Sequence, residues 1–309
     1  MKLSVVATLY QSSPYLTEFY ERASAAARQL VGDDYEIVLV NDGSPDDSLD
    51  RAVQLSRKDS HVVVVDLSRN FGHHKAMMTG LAHASGERVF LIDSDLEEEP
   101  EWLSSFSAQM ETDASDVVYG VQEERKGRWF ERWSGYWFYQ LFKAVTGFAM
   151  PQNVVTARLM TRRYVGALLR HQEREVFMVG LWYITGFHQS SQIVKKHNTS
   201  ETTYTFRRKM SIFVNSVTSF SNAPLIGIFY IGAFISVLAV LYILYIVAQR
   251  LLWAAPLSGW TSVMASIWLI GGMVISFIGV VGIYLAKIFS ETKQRPYTIV
   301  RDIYGRNKD

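Results

Sequence analysis

The stretch Arg88-Val-Phe-Leu-Ile-Asp-Ser-Asp-Leu-Glu-Glu-Glu-Pro100 carries the strongest structural signal in the chain. Its apolar residues Val89 to Ile92 lead directly into Asp93 and Asp95, and Glu97 follows two positions later. A short apolar run that ends in polar residues is typical of a central parallel strand, and open α/β sheets bind ligands beyond the carboxyl ends of such strands. The stretch therefore predicts a buried strand that delivers carboxylates to a functional site.

The two aspartates of this stretch suit a metal ion. Asp93 and Asp95 are two residues apart, so in extended backbone their side chains point the same way. Both can then bind one hard cation, because such cations take oxygen ligands. The alternative is a solvated acidic turn that opens the helix at Pro100, where carboxylates near the helix N-terminus are favoured.

Three more strand patterns precede this one, and helical segments separate them. The alternation predicts an α/β fold with a doubly wound, mostly parallel sheet. All four strands end in polar residues, so we expect a nucleotide in the crevice beyond them. The glycine-rich phosphate loops of dehydrogenases and P-loop enzymes do not occur in the sequence, which argues against both classes. The polar ends are Gln11 and Ser12, Asn41 and Asp42, Arg69 and Asn70, and Asp93 and Asp95.

The composition excludes several classes of protein. A net charge of +1 argues against a nucleic-acid binder that relies on bulk electrostatics. The chain has no cysteine, so disulfides, thiolate metal sites and a cysteine nucleophile are excluded. Charged residues crowd the first two thirds of the chain, whereas two long stretches near its end have almost none. We therefore expect a soluble part and a membrane part.

Two uncharged stretches, at about residues 225–248 and 261–286, each exceed the roughly 20 residues that cross a bilayer core. The short link between them predicts a two-helix transmembrane hairpin within residues 225–288, with buried helices of a soluble protein as the alternative. Basic residues flank both outer ends, so the positive-inside rule places residues 1–205 and the tail, residues 289–309, in the cytoplasm. The N-terminus shows no signal-peptide pattern, and we expect no cleavage there.

Aromatic residues crowd residues 128–148, interleaved with arginines and a lysine. This pattern predicts an amphipathic helix in the membrane interface, because Trp and Tyr rings favour headgroup depth and cations attract anionic lipid. A core helix is the alternative, since the aromatic residues are spread around more than one helix face. Residues 206–224 are predicted to form a juxtamembrane helix that leads into the first span.

A set of motifs runs along almost the whole chain. The motifs are Val40-Asn-Asp-Gly-Ser44, Leu67-Ser-Arg-Asn-Phe-Gly72, Asp93-Ser-Asp-Leu96 with Pro100, Phe177-Met-Val-Gly-Leu181, and Arg295-Pro296 after the two spans. In order and spacing the set resembles the membrane-bound polyprenyl-phosphate glycosyltransferases of glycosyltransferase family two. Bactoprenol glucosyltransferases, aminoarabinose transferases and dolichol-phosphate mannose synthases are similar in pattern.

The resemblance implies a type A, Rossmann-like glycosyltransferase fold that holds a nucleotide-diphosphate sugar. By that likeness Asp42 would contact the nucleobase, and Asp93 would lie near the ribose and diphosphate. Asp95 and Glu97, with Asp93, would hold Mg²⁺ or Mn²⁺ against the diphosphate, whose developing charge the cation neutralises. Arg69 and Asn70 can donate hydrogen bonds to phosphate or sugar oxygens of the donor. The alternative is that they form a turn that pairs with the acidic cluster. The predicted donor-binding residues are Tyr10, Asp42, Arg69, Asn70 and Asp93.

Several positions depart from the family pattern. The acidic residue sometimes proposed as a catalytic base is replaced by Thr156, and an arginine near the membrane is replaced by His197. The first strand ends in Tyr10-Gln11-Ser12 instead of the family's Tyr-Asn-Glu, which leaves the nucleobase open. Glu97 stands where relatives carry glutamine, so we expect it to tighten metal binding. Loss of the base is tolerable, because a phosphate acceptor is already anionic and needs positioning more than deprotonation.

The sequence and the resemblance together predict an inverting transfer of a sugar from a nucleotide donor to polyprenyl (undecaprenyl) phosphate at the cytoplasmic face of the bacterial inner membrane. The product would serve modification of cell-surface polysaccharide or lipopolysaccharide. An alternative acceptor is a saccharide on a lipid diphosphate. An alternative function for the whole protein is that of a non-catalytic membrane scaffold. The expected partners are the donor, the lipid acceptor and membrane lipid, without nucleic acid, and a homotetramer fits the resemblance. The predicted catalytic residues are Asp95, Thr156 and Arg158. The cations predicted to bind the acceptor phosphate are Lys196, His197, Arg207 and Arg208. For Arg207 and Arg208 the alternative is that they are ordinary positive-inside residues beside a membrane span.

Overall fold

The computed structural model describes residues 1–122, 153–174, 176–197, 217–218, 221, 223–253 and 259–305. The predicted interfacial helix at 128–148, most of the predicted juxtamembrane helix at 206–224, and Arg207 and Arg208 lie outside the described residues. The chain divides into two compact units, one built on a mixed β-sheet and one that contains two long helices.

Eight strands form one sheet. They are β1 (Leu3–Leu9), β2 (Tyr35–Asn41), β3 (Val62–Leu67), β4 (Arg88–Leu91), β5 (Val117–Gln122), β6 (Val154–Thr161), β7 (Gln189–Val194) and β8 (Val300–Tyr304). The described helices of this unit are α1 (Leu16–Val31), α2 (Ser48–Lys58), α3 (His73–His83), α4 (Trp102–Thr112), α5 (Arg162–Leu168) and α6 (Met178–Ile184). The second unit contains α7 (Ala223–Trp253) and α8 (Trp260–Thr292).

The strand order is β7-β5-β6-β4-β1-β2-β3-β8. The four strands predicted from the first third of the chain are neighbours in the order β4-β1-β2-β3, and all three pairs among them are parallel. The predicted α/β fold with a mostly parallel sheet is therefore confirmed. Two strands depart from parallel: β6 runs antiparallel to β4 and β5, and β8 runs antiparallel to β3.

Helices cover both faces of the sheet because its central strands are apolar on both sides. In β1, alternate residues point to opposite faces, so Val5 joins one core cluster and Val6 the other. Phe19 of α1 and Phe106 of α4 complete the first cluster, and Met77 of α3 packs in the second. This two-sided burial leaves the carboxyl ends of the strands as the place where polar side chains collect.

The second unit contains a helix suited to a membrane. Within the described residues, Leu269–Thr292 is the single helical stretch that is both long and apolar enough to cross a bilayer. A shorter apolar helical stretch, Ala223–Ala239, lies in α7. The second predicted span, 261–286, is therefore matched from residue 269 onward, whereas the first is not matched by a stretch of spanning length among the described residues, and the predicted two-helix hairpin is not confirmed.

The tail after α8 returns to the sheet of the first unit. Strand β8 pairs with β3, and Arg301 Nη2 donates a hydrogen bond of 2.6 Å to the Ser68 carbonyl oxygen. Arg301 Nη1 also lies 3.5 Å from Oδ2 of the buried Asp66. The predicted cytoplasmic tail is therefore partly a strand of the sheet.

Candidate active site

The loops at the carboxyl ends of β1, β2 and β4 are joined by serine side chains. Ser94 Oγ, after β4, donates to the Thr8 carbonyl oxygen at 2.8 Å and lies 3.0 Å from Ser12 Oγ. The Ser12 backbone N–H donates to Ser48 Oγ at 3.0 Å, which links the loop after β1 to the start of α2. These bonds hold three loops in register around the crevice where the nucleotide was predicted.

In the loop after β2, the Asp46 side chain accepts several hydrogen bonds that hold the loop in place. Its carboxylate accepts hydrogen bonds from the Ser44 hydroxyl at 2.5 Å, from the Ser48 hydroxyl at 2.6 Å and from the Ser13 backbone N–H at 3.2 Å. Burial acts to raise the pKa of Asp46, but the hydrogen bonds outweigh it and lower the pKa to about 2. Asp46 is therefore a charged anchor for the loops.

Asp42, predicted to contact the nucleobase, binds the loop after β3. One carboxylate oxygen accepts from the Phe71 N–H at 2.7 Å and the other from the Gly72 N–H at 3.0 Å. Burial raises the pKa of Asp42. Next to it, Gly43 has φ +59°, and a Cβ atom there would lie 2.4 Å from the Asn70 nitrogen. The loops after β2 and β3 are thus in backbone contact.

The other predicted donor-binding residues present side chains to solvent at the same edge. Arg69 and Asn70 are exposed, and so is Tyr10 at the end of β1. The Arg69 guanidinium stacks 4.0 Å above the Phe71 ring and donates to the Asn70 carbonyl oxygen at 3.0 Å. The structure places Tyr10, Arg69 and Asn70 at the rim, and Asp42 beneath it.

Asp93 is paired with a histidine that the sequence analysis did not assign. His73, the first residue of α3, has its Nε2 atom 3.2 Å from Asp93 Oδ1 and its Nδ1 atom 3.0 Å from Thr8 Oγ1. Burial acts to raise the pKa of Asp93, but the hydrogen bond and charge of His73 outweigh it, so the pKa lies below its ordinary value. Asp93 is therefore held as a carboxylate.

The acidic turn, residues Asp93 to Glu99, bends at Leu96, which has φ +58°. Asp95 Oδ1 accepts from the Glu97 N–H at 3.0 Å and closes the bend. Beyond the bend, Glu98 is fully buried, and its Oε1 atom accepts from the Thr156 N–H at 2.9 Å. Burial, and then the charge of Asp93, raise the pKa of Glu98 to about 8. Glu98 thus joins the acidic turn to β6.

Two of the cations predicted to bind the acceptor phosphate contact the acidic turn. Lys196 Nζ lies 3.0 Å from Glu97 Oε2 and 3.7 Å from Glu98 Oε1. The His197 backbone N–H donates to the Glu97 carbonyl oxygen at 2.8 Å, and its ring Nε2 lies 2.5 Å from Glu99 Oε1. The residues after β7 therefore lie across the predicted metal-binding turn.

Arg158 is placed inside the protein. It is 1% exposed, donates to the carbonyl oxygens of Thr156 at 3.1 Å and Val155 at 3.2 Å, and packs against the Trp182 ring. Burial lowers its pKa. A cavity of about 30 Å³ lies beside it. Arg158 braces β6 through the Thr156 carbonyl oxygen, and the Thr156 N–H in turn donates to Glu98 of the acidic turn.

Among the described residues, no group of three or more His, Asp or Glu side chains is arranged to hold a metal ion. The predicted ligands Asp93, Asp95 and Glu97 therefore do not form such a group, and Glu97 pairs with Lys196. The donors nevertheless fit a hard divalent cation. They are carboxylate oxygens, and Lys196 already stands among them as a positive charge.

Comparisons with known proteins agree on one family. The model of glycosyl transferase family 2 matches residues 4–173. A relative from Mycobacterium tuberculosis (strain CDC 1551 / Oshkosh) that carries a glycosyltransferase name is 50% identical over 99% of this chain and 89% of its own. The undecaprenyl-phosphate 4-deoxy-4-formamido-L-arabinose transferase of Enterobacter sp. (strain 638) is 29% identical over 99% of this chain and 94% of its own. The bactoprenol glucosyl transferase of Shigella phage SfV is 30% identical over 98% of this chain and 99% of its own.

The fold is also similar to a solved structure. Glucosyl-3-phosphoglycerate synthase from Mycobacterium tuberculosis, in complex with Mn²⁺, UDP and phosphoglyceric acid, matches with a TM-score of 0.51 at 18% identity, over 70% of this chain and 76% of that one. At this identity the likeness concerns the fold, and it agrees with a type A glycosyltransferase sheet. The family model covers more than half of the sequence, so the chain belongs to glycosyl transferase family 2 and is a glycosyltransferase.

Proposed function

We propose that this glycosyltransferase moves a sugar from a nucleotide-diphosphate sugar to polyprenyl phosphate, with inversion, at the cytoplasmic face of the bacterial inner membrane. The observation that carries the proposal is the acidic turn at the end of β4, set among loops that the serine network holds in place. The names of two relatives that match 98% or more of the chain support the acceptor, since both name undecaprenyl phosphate or bactoprenol.

The reaction forms one bond and breaks one bond at the anomeric carbon. An oxygen of the acceptor phosphate attacks that carbon, and the nucleoside diphosphate leaves with the electron pair of the broken bond. Asp93, Asp95 and Glu97 would hold Mg²⁺ or Mn²⁺, which neutralises charge on the leaving group. His73 keeps Asp93 ionised and in place. No proton has to be removed from an anionic phosphate, so Thr156 in place of an acid is compatible with the chemistry.

The donor and acceptor sides of the site follow from the same arrangement. Tyr10, Arg69 and Asn70 at the rim are placed to contact the donor, and Asp42 sets the position of the loop that carries the last two. Lys196 and His197, with Arg207 and Arg208 from the membrane flank, are proposed for the acceptor phosphate. Arg158 acts by holding β6, and thereby Thr156, against the acidic turn.

A transfer assay tests the proposed reaction. Purified full-length protein, given undecaprenyl phosphate and a panel of labelled nucleotide sugars, should form a lipid-linked sugar with at least one donor when Mg²⁺ or Mn²⁺ is present. Transfer to a saccharide on a lipid diphosphate, without transfer to the monophosphate, would favour the alternative acceptor. Absence of transfer to every acceptor, despite binding of a nucleotide sugar, would favour a non-catalytic scaffold.

The return of β8 to the sheet supports a two-span hairpin. Strands before α7 and the strand after α8 belong to one sheet, so both lie on the same side of a membrane, and the number of crossings between them is even. If α8 crosses, we propose that α7 supplies the second crossing. We propose that residues 1–205 and 289–309 are cytoplasmic and that residues 128–148 and 206–224 lie at the membrane interface.

The absence of cysteine makes this topology directly measurable. Ser258→Cys, in the link between the helices, should react with a membrane-impermeant maleimide applied to the outer face of intact spheroplasts. Lys308→Cys, in the tail, should react only after lysis, and the unmodified chain supplies a zero background. Equal protection of both cysteines before lysis would contradict the hairpin.

A further inference from the structure

The basic strap, residues Lys195–His197, is bound to the acidic turn by side chain and backbone. Lys196 contacts Glu97 and Glu98, and the His197 N–H donates to the Glu97 carbonyl oxygen. The Lys196 side chain is only 20% exposed, while Lys195 beside it is exposed to solvent. The strap therefore carries one lysine into the carboxylate cluster and leaves the other outside it.

The carboxylates of the acidic turn are largely withdrawn from solvent. The Glu97 side chain is 12% exposed and the Asp93 side chain is 17% exposed, and Glu98 behind them is fully buried. Buried carboxylates are costly unless a cation or hydrogen bonds compensate them. Lys196 supplies such a charge from within the chain, at the position where the proposed function requires a divalent ion.

We propose that Lys196 is an internal counter-ion, which occupies the carboxylate cluster in the metal-free enzyme and is displaced when a divalent cation binds. The proposal rests on the metal-dependent transfer proposed above. Lys196 Nζ lies 3.0 Å from Glu97 Oε2, so a divalent ion held by Glu97 would compete with the ammonium group for the same carboxylate, and the two cations would repel each other. Because the lysine stem is flexible, Nζ can leave the cluster while the strap stays in place.

The displacement of Lys196 by the metal ion lowers the metal affinity of the enzyme that has no substrate bound. A cation that must expel Lys196 binds more weakly than one that meets bare carboxylates. Until a metal ion binds, Lys196 offsets part of the negative charge of the turn. The pairing also offsets the negative charge that Glu97 places beside the buried Glu98.

Mn²⁺ binding to the full-length protein, followed by electron paramagnetic resonance without donor or acceptor, tests the exchange. Lys196→Met keeps the length of the stem but removes the charge, and it should bind Mn²⁺ about tenfold more tightly than the unmodified chain. Lys196→Arg, which retains the charge, and Lys195→Met, which removes the exposed neighbour, should stay within about threefold. Unchanged or weaker binding by Lys196→Met would overturn the proposal, and equal tightening by Lys195→Met would reduce it to an effect of net charge.

A second measurement needs no mutation and covers the case in which Lys196→Met fails to fold. Amine-reactive labelling of the unmodified protein, read by mass spectrometry, should show Lys196 becoming several-fold more reactive when Mn²⁺ is added, with Lys195 as the internal reference. No change at Lys196 while Mn²⁺ binds would refute the exchange. Neither measurement uses donor or acceptor, so a failed transfer assay and a failed exchange are separate outcomes.

Discussion

Asp95→Asn is expected to lower kcat/KM for sugar transfer by about a thousandfold or more, and to weaken Mn²⁺ binding in the presence of donor. The proposed cation neutralises charge on the leaving diphosphate, and loss of one of its carboxylate ligands removes several kcal/mol of that stabilisation. The fold should be retained, because the asparagine oxygen can still accept the hydrogen bond from the Glu97 N–H that closes the acidic turn. Initial rates over a range of donor and Mn²⁺ concentrations separate the two effects.

Asp50→Asn is the matched control for this substitution. Asp50 is an exposed carboxylate in α2, outside the site, so the same chemical change there should leave transfer and Mn²⁺ binding within about twofold. Transfer by Asp95→Asn within about fivefold of the unmodified enzyme would remove Asp95 from the proposed metal-binding set.

Gly43→Ala is expected to be the most destabilising substitution among the glycines of the site. Its Cβ would lie 2.4 Å from the Asn70 nitrogen and 2.5 Å from the Arg69 carbonyl carbon, and backbone atoms cannot rotate away as a side chain can. The left-handed φ of +59° adds strain. We expect a loss of about 3 kcal/mol or more, seen as a fall of roughly 10 °C in the thermal midpoint.

Gly32→Ala separates the two causes. Gly32 has a similar φ of +66°, but a Cβ there would meet nothing within 4 Å. Its ψ of −136° is also unfavourable for residues other than glycine, so its loss should be limited to backbone strain of about 1–2 kcal/mol, or roughly 2–8 °C. Equal falls in the two variants would show that the loops after β2 and β3 are not in the close contact described. Nucleotide binding should fall in Gly43→Ala alone, because only this change moves Arg69 and Asn70.

The sequence predicted strands β1 to β4, which form the parallel part of the sheet. Strands β1 to β4 are apolar runs bounded by polar ends, and such runs have few other structures open to them. Strand β8 gave no such signal: it is short, and Arg301 and Asp302 interrupt its apolar residues. Its assignment depends on the free edge of β3, which is a property of the folded sheet.

The sequence predicts the direction of the site carboxylates only where the backbone is extended. The spacing of two residues predicts that Asp93 and Asp95 after β4 share one cation, and this stays a prediction. The same spacing fails after Leu96, because its φ of +58° turns the chain and directs Glu98 into the interior. The sequence also could not pair Lys196 with Glu97, since the two residues lie far apart along the chain. The pattern of histidines at the start of α3 likewise did not show that His73 faces Asp93.

The position of β8 also bears on the order in which the protein folds during synthesis. Arg301 binds Ser68 across 233 positions of sequence, and every residue of α7 and α8 emerges from the ribosome between the two. Until then the outer edge of β3 offers unpaired backbone groups, which can pair with strands of other chains. Completion of the catalytic sheet is therefore delayed until the long helices have been made. A ribosome that stops before residue 300 would release a chain with an open, aggregation-prone edge.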